Sequence, residues 1–419
     1  MLKTLKTTPA ATKDVLSQVC FARDKIKLSL LDFYKMRGFD RIETPVLEYY
    51  DVFDGSKANI PQQSMYKLTD SDGRLIVLRP DCTIPMARVA STRLKNAPRP
   101  IRLCYSQNVY TINPPHSPRS NEMPQVGIEI MGDKSSKKAD LEAVFLAAES
   151  LDRINKVIKG EKENPFDKKG FLETKSPKEN PIFRLELCHI GYFKGIMDQL
   201  RASDEEKEEI RQLVEKKNYY ALEKSLGPYK ETKAYNALML LPRLFGGIEV
   251  VKEARKNYIN EKTDSALAYL EELYENLKLL GLEKIISVDL GMVNKSDYYT
   301  GIIFKGYFEG AGEEVLSGGR YDNLSEIYGS KMTAVGFGVN VSLTAELSDF
   351  EEEKNERVLI YGEKGFEAKA LAYIESFCDE GVLAEYSVFE TIEDTVSYAR
   401  EKRFDKIMTV GKEIDYINI

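Results

Sequence analysis

The sequence predicts an α+β chain: a core of hairpin strands with helices against it, a helical block inserted into that core, and a small α/β domain at the C-terminal end. Three observations carry this. Residues 302–308 and 315–320 are rich in β-branched, aromatic and small residues, and the Gly/Glu turn 309–314 joins them as a hairpin. Residues 191–283 carry helical spacing in several consecutive pieces, interrupted by Gly246-Gly247. From Arg357 onward, short strands alternate with short helices, the pattern of a mainly parallel sheet.

Taken in order, residues 8–14 form an N-terminal arm. Val15, Val19, Ala22, Ile26, Leu30, Phe33 and Met36 then recur at helical spacing, with Gly38 as a stop. Residues 39–47 read as a strand, and Thr44-Pro45 places it at an edge, because proline gives no N–H to a neighbour. Residues 66–68 and 75–78 are short strands around an Asp70–Gly73 turn. A helix over 84–94 follows, with Pro85 in its first turn and Asp81 or Thr83 as its cap. Strands at 101–109 and 125–131 flank a proline-rich loop, 111–124, and a helix spans 140–157. Residues 159–181, rich in Lys, Glu, Asn and Pro, read as a linker or insertion. A strand over 183–189 leads into the helical block. After the hairpin come a strand and helix over 334–347 and a charged linker at 351–356. Two domains are therefore expected: residues 1–349 and residues 357–419.

Composition is that of a soluble globular protein, with 42% apolar and 30% charged residues. No uncharged apolar run is long enough to span a bilayer, and the first residues lack a signal-peptide core, so a cytoplasmic location and no membrane contact are expected. Five cysteines, widely spread and without a Cys-x-x-Cys pair, support neither a disulfide framework nor a zinc site. The two histidines leave no room for a His-rich metal motif. His189 lies in an apolar strand segment and reads as a packed residue; His116 sits between prolines and reads as solvent-facing. Net charge is −7, and residues 357–419 hold 8 Lys/Arg against 13 Asp/Glu, a net of −5, so nucleic acid is not an expected partner.

The candidate site has two halves. Gly318 and Gly319 let backbone approach a ligand or another strand, and Tyr298 and Tyr299 precede the hairpin with their side chains on opposite faces. Asp81, Thr83, Gln125 and Glu129 form the other half. Taken singly, each has a structural alternative. Asp81 and Thr83 can cap a helix, and Glu129 can pair with Arg102 or Arg320.

Thr44-Pro45 with Glu48, Leu78-Arg-Pro-Asp-Cys-Thr83, Arg102-Leu-Cys-Tyr105, Gln125-Val-Gly-Ile-Glu-Ile-Met-Gly132, Asp297-Tyr-Tyr, Gly318-Gly-Arg-Tyr-Asp322 and Ala334-Val-Gly-Phe337 resemble, in this order, the class II core of histidyl-tRNA synthetases. Residues 357–419 resemble the start of their anticodon-binding domain. The resemblance implies an antiparallel sheet flanked by helices, with the Thr44-Pro45 region at a dimer interface. It also implies that Asp81, Thr83, Gln125, Glu129, Tyr298 and Tyr299 hold an amino acid, with Gly318 and Gly319 as pocket backbone. The arginines that grip ATP in the synthetases fall here on Thr111, Leu343 and Asn294, and the glutamate that follows the first falls on Asn113. Adenylation needs cations aimed at developing phosphate charge.

A retained pocket without those arginines resembles the regulatory subunits of ATP phosphoribosyltransferase, as do Leu78-Arg-Pro-Asp, Tyr298-Tyr-Thr-Gly-Ile, Leu187-Cys-His-Ile-Gly191 and Leu241-Pro-Arg-Leu-Phe-Gly-Gly247. This implies a non-catalytic protein that activates a short catalytic subunit and makes it answer to histidine. The partners implied are that subunit, histidine and a second copy of the chain, in a hetero-octamer, with no cofactor. An active histidyl-tRNA synthetase and another non-catalytic amino-acid sensor are the competing readings. Loops 111–124 and 309–314 are expected to close over the ligand.

Overall fold

A computed structural model describes residues 6–53, 60–114, 117, 119–160, 182–293, 298–348 and 356–419. His116, Asn294, Asp297 and nearly all of the 159–181 and 351–356 stretches lie outside the described residues. The chain divides into two compact units, Met1–Phe350 and Glu351–Ile419.

In the first unit, α1 (Ser17–Met36) precedes short strands β1 (Asp40–Arg41), β2 (Leu47–Tyr49), β3 (Lys67–Thr69) and β4 (Leu75–Leu78). α2 (Thr83–Ser91) leads to a long hairpin, β5 (Ile101–Tyr110) and β6 (Glu122–Met131), followed by α3 (Ser136–Ile158). β7 (Phe183–His189) opens the helical block: α4 (Ile190–Met197), α5 (Asp204–Glu215), α6 (Tyr219–Ser225), α7 (Lys233–Leu240), β8 (Phe245–Gly246), α8 (Glu249–Asn257) and α9 (Glu261–Leu279). The unit closes with β9 (Ile286–Asp289), β10 (Ile302–Phe308), β11 (Leu316–Arg320), β12 (Ala334–Asn340) and α10 (Val341–Glu346).

One sheet of nine strands, in the order β1-β5-β6-β12-β11-β10-β7-β9-β8, carries this unit. Its pairings are antiparallel except β1/β5 and β7/β9. Strand alternation gives it two different faces. Val126, Ile128, Phe304, Phe337 and Val339 face the larger core, where α1 and α3 pack through Ile26, Leu30, Tyr34, Val144 and Leu151. Leu103, Tyr105, Met131, Tyr321 and Ala334 face the smaller core under α2, with Ile84 and Met86. Gly38 ends the α1 segment at φ +78°, a conformation that costs glycine no Cβ clash.

The helical block is spliced between two strands that lie side by side. β7 enters it, β9 leaves it, and the two pair in parallel with Leu185 opposite Ile286. Residues 286–320 therefore hold three strands, not only the expected hairpin. Residues 39–47 are not one strand either: β1 pairs with β5, whereas β2 joins a separate antiparallel sheet, β2-β4-β3. Pro45 cannot extend a ladder, and Arg79 pulls the chain aside by donating to the carbonyl of Thr44 at 2.7 Å and to Gln107 Oε1 at 2.6 Å. Residues 122–124, read as loop, continue β6, because Asn108 and Val109 of β5 stand opposite Pro124 and Met123.

The second unit contains β13 (Arg357–Gly362), α11 (Glu367–Asp379), β14 (Leu383–Tyr386), α12 (Ile392–Glu401), β15 (Lys406–Val410) and β16 (Ile414–Asn418). β14, β13 and β15 are parallel, and β16 adds an antiparallel edge that the sequence pattern did not signal. Among the described residues no helix is long and apolar enough to cross a membrane.

Candidate functional site

The site lies on the α2-facing side of the large sheet, and its floor is missing side chains. Gln125, Gly127 and Glu129 share one face of β6; Gly336 stands opposite Glu129, and Gly338 opposite Gly127. A Cβ at Gly336 would lie 1.8 Å from Glu129 Oε2, and one at Gly338 would lie 2.3 Å from Gln125 Nε2. A Cβ at Gly127 would lie 2.5 Å from the Tyr105 hydroxyl. On β11, a Cβ at Gly319 would lie 2.6 Å from the Tyr299 ring. Four glycines thus make a trough into which Gln125, Glu129, Tyr105 and Tyr299 settle.

All six side chains expected at the site gather here. Asp81 sits just before α2 and accepts from the Ile84 N–H at 2.8 Å, so it is also a helix cap. Thr83 hydrogen-bonds Glu129, and Asp81 is close enough to raise its pKa. Tyr298 and Tyr299 rings lie 4.7 Å apart, and Tyr298 is edge-on to Tyr321 at 5.9 Å. Tyr105 bonds Gln125 at 3.3 Å. Gly318 is a correction: it faces the opposite side, where a Cβ would lie 2.4 Å from Phe337 Cβ and 2.8 Å from Phe304, so it serves the aromatic core. Tyr105, Tyr321, Gly127, Gly336 and Gly338 went unrecognised as site residues. The alternating Gly336-Phe337-Gly338 pattern was the available signal, since small residues on one face of a strand leave room there.

Glu129 is the electrostatic centre. It is 1% exposed, and it accepts a hydrogen bond from the Tyr321 hydroxyl. Neither arginine considered for it pairs with it. Arg102 binds Glu142 at 2.7 Å; Arg320 binds Asp140 at 2.6 Å, Asp322 at 2.9 Å and Asp133 at 3.3 Å. Among the described residues no Lys or Arg forms an ion pair with Glu129. Burial therefore pushes its pKa up to about 8, against the hydrogen bonds from Tyr321 and Thr83, and nearby Asp81 raises it further. Burial likewise pushes Asp81 up to about 6, against backbone hydrogen bonds at the start of α2. The hydroxyls of Tyr105, Tyr299 and Tyr321 are pushed above the usual phenol range by burial, then by neighbouring acidic groups. Among the described residues, two carboxylates and several hydroxyls meet here with no cation paired to Glu129, an arrangement whose chemistry suits a positively charged group.

The family model for histidyl-tRNA synthetase matches residues 11–159 and 172–343. An ATP phosphoribosyltransferase regulatory subunit from Clostridium kluyveri is 36% identical over 95% of this chain and 97% of its own length. One from Clostridium novyi is 37% identical over 100% of this chain and 95% of its own. The chain belongs to the family of ATP phosphoribosyltransferase regulatory subunits. A crystal structure of an ATP phosphoribosyltransferase regulatory subunit/histidyl-tRNA synthetase from Bacillus halodurans C superposes with a TM-score of 0.80, at 27% identity, covering 97% of this chain and 98% of that one. Histidyl-tRNA synthetase from Nostoc shares the fold, with a TM-score of 0.73 at 15% identity over 99% of this chain and 97% of that one.

Next to the trough lies a cavity of about 380 Å³, with Gln125 and Gly338 in its wall. Thr111, Asn113 and Leu343 also line it. Asn113 is spent inside its own loop, donating to Asn121 Oδ1 at 3.1 Å and Ser120 O at 3.0 Å. The loop and the hairpin turn meet, since Arg119 pairs with Glu313 and lies 3.7 Å from Glu314. The N-terminal arm joins them: Ala11 O accepts from the Asn121 N–H at 2.8 Å. His189 is half-buried at the end of β7. Its Nδ1 accepts from the Gly191 N–H at 3.1 Å, capping α4. Burial and then Lys194 lower its pKa to about 4, so the ring is neutral near pH 7.

Proposed function

We propose that this chain is a non-catalytic cytoplasmic subunit that binds free histidine in the Glu129 trough, activates a short-form ATP phosphoribosyltransferase catalytic subunit, and makes that subunit sensitive to histidine. The observation that carries the reading is the buried Glu129 carboxylate, which among the described residues has a hydroxyl partner but no cationic one. The α-ammonium of histidine would supply the missing charge, and a hydrogen bond to a charged group contributes about 1.5–3 kcal/mol. Gln125 and the tyrosine hydroxyls are suited to imidazole nitrogens, which need one donor and one acceptor when the ring is neutral.

Three positions in the adjoining cavity, those that correspond to the adenylation residues of the synthetases, argue against adenylation. Thr111, Asn113 and Leu343 present no cation to a phosphate, whereas adenylation depends on positive groups placed where charge develops. Histidine regulation then requires differential affinity for two arrangements of an assembly, a coupling of about 1–3 kcal/mol. A homodimer within a hetero-octamer is part of the proposal. Its support is one face of β2-β4-β3, where the register brings the exposed side chains of Leu47, Tyr49 and Leu68 together.

The test is phosphoribosyl transfer to ATP by the short catalytic subunit alone, with this chain, and with this chain plus histidine. Activation by the chain and suppression by histidine support the reading. No effect on the catalytic subunit, together with histidine-dependent ATP–pyrophosphate exchange by this chain alone, overturns it in favour of a synthetase.

A further inference from the structure

The cavity beside the trough has two walls of different character. Thr111, Asn113 and Leu343 form the uncharged one. The other belongs to α1 and α10, and it contains Arg23, Lys27 and Ser342. Three observations there point to a ligand. The Arg23 Nε is buried without a hydrogen-bond partner, and no ion pair forms to Arg23 among the described residues. The Ser342 side chain is 7% exposed, and its hydroxyl also has no partner. Lys27 lies one helical turn beyond Arg23 on the same face of α1. Its carboxylate neighbour, Asp24, is 3.4 Å away, largely exposed and outside the cavity wall.

Each of these groups is costly as it stands. A buried N–H or hydroxyl without a partner forfeits about 1–3 kcal/mol. Two cations spaced i, i+4 on a helix repel one another unless an anion lies between them. Of the other charges in the wall, Lys13 is paired with Glu346, Arg119 pairs with Glu313 and lies 3.7 Å from Glu314, and Glu122 accepts from the Asn108 side-chain amide at 2.7 Å. Arg23 has no carboxylate partner among the described residues, Lys27 has only the exposed Asp24, and the hydroxyl of Ser342 lines the same cavity without a partner among the described residues.

We propose that this wall is a second ligand site, taking a phosphate group held by Arg23, Lys27 and Ser342. Two cations match a phosphate dianion better than a carboxylate, and a guanidinium presents paired donors to it. The site differs from the adenylation arrangement because none of the positions Thr111, Asn113 or Leu343 contributes charge. The cavity, at about 380 Å³, is large enough for a phosphate with a nucleoside attached. Because Gln125 and Gly338 belong to both the cavity and the trough, an occupant would be felt at the amino-acid pocket. That link, unlike the site itself, rests on the function proposed above.

The test is calorimetric titration of the full-length chain with inorganic phosphate, AMP and ATP, in a phosphate-free buffer at fixed ionic strength. The expected result is saturable binding of at least one probe. It weakens about tenfold or more in Arg23→Gln/Lys27→Gln and several-fold in Ser342→Ala. Equal affinity for phosphate and AMP would mean that the site reads the phosphate alone; tighter AMP or ATP would mean a nucleotide. Either supports the proposal. No binding of any probe at millimolar concentration, or binding unchanged in both variants, overturns it. Histidine is titrated into the same samples. Wild-type chain that binds phosphate but not histidine would refute the function proposed above and leave this site standing.

Discussion

Gly338→Ala isolates one side chain of the trough. The new Cβ would lie 2.3 Å from Nε2, 2.6 Å from Cδ and 3.0 Å from Cγ of Gln125, and the three closest atoms all belong to that side chain. Gln125 is half-buried and borders the cavity, so it can swing away without disturbing the strand. The expected loss is one hydrogen bond to the ligand: about 1.5–3 kcal/mol if it reaches a charged group, about 0.5–1.5 if a neutral one. Because about 1.4 kcal/mol is tenfold, histidine should bind roughly ten- to hundredfold more weakly in the first case and about two- to tenfold in the second. Calorimetry of histidine binding measures this, with circular dichroism as the folding control. A double-mutant cycle sharpens it. In a Gln125→Ala background there is no side chain left to displace, so adding Gly338→Ala should cost less than about 0.5 kcal/mol further. Unchanged histidine affinity in both single variants would show that Gln125 does not touch the ligand. Strictly additive losses would show that the alanine acts on something other than Gln125.

Glu129, whose pKa is about 8, should bind an ammonium only after losing its proton. Histidine affinity should therefore climb between pH 6 and pH 8, with proton release visible as a dependence of binding enthalpy on buffer. The sign for stability is opposite. The folded pKa lies above the ordinary 4.5, so this group's contribution is fully present below pH 4.5 and is lost as pH rises through 8. Denaturant titration of Glu129→Gln without ligand should show a flatter pH dependence over that window. Arg320→Met leaves Asp140 buried without its cationic partner, with only the Tyr269 hydroxyl at 2.6 Å, and should cost about 3–5 kcal/mol, read from chemical denaturation. Leu47→Asp, on the exposed face of β2, should shift the chain toward monomer in sedimentation velocity while histidine binding is kept.

The sequence showed most of the fold because hydrophobic period and turn residues are local. α1, α3, the β10–β11 hairpin and the alternation in the second unit could all be read from spacing. What escaped was set by distant partners. β9 exists because β7 offers it an edge about a hundred residues earlier in the chain. Residues 39–47 split between two sheets because Arg79 and Gln107 hold Thr44. At the site, the family resemblance named the charged and aromatic residues but not the space they occupy. Gly336 and Gly338 are uninformative singly; their meaning lies in the register that sets them against β6. Gly318 and Gly319 read as equivalent neighbours, yet the strand turns one to the core and the other to the site. Arg23 and Ser342 belong to no motif and become visible only through the hydrogen bonds they lack.

The trough has a further consequence for how this family changes over time. A pocket walled by side chains can be enlarged by trimming them or narrowed by extending them. A pocket floored by glycine has nothing left to trim. Every substitution at Gly127, Gly319, Gly336 or Gly338 adds atoms where a Cβ already lies within 2.6 Å of a neighbour. Mutation there runs one way, toward a smaller cavity or none. A switch to a bulkier ligand must come through Tyr105, Tyr299 or Tyr321, and the floor itself acts as a ratchet that holds the pocket to the size class for which it was first cut.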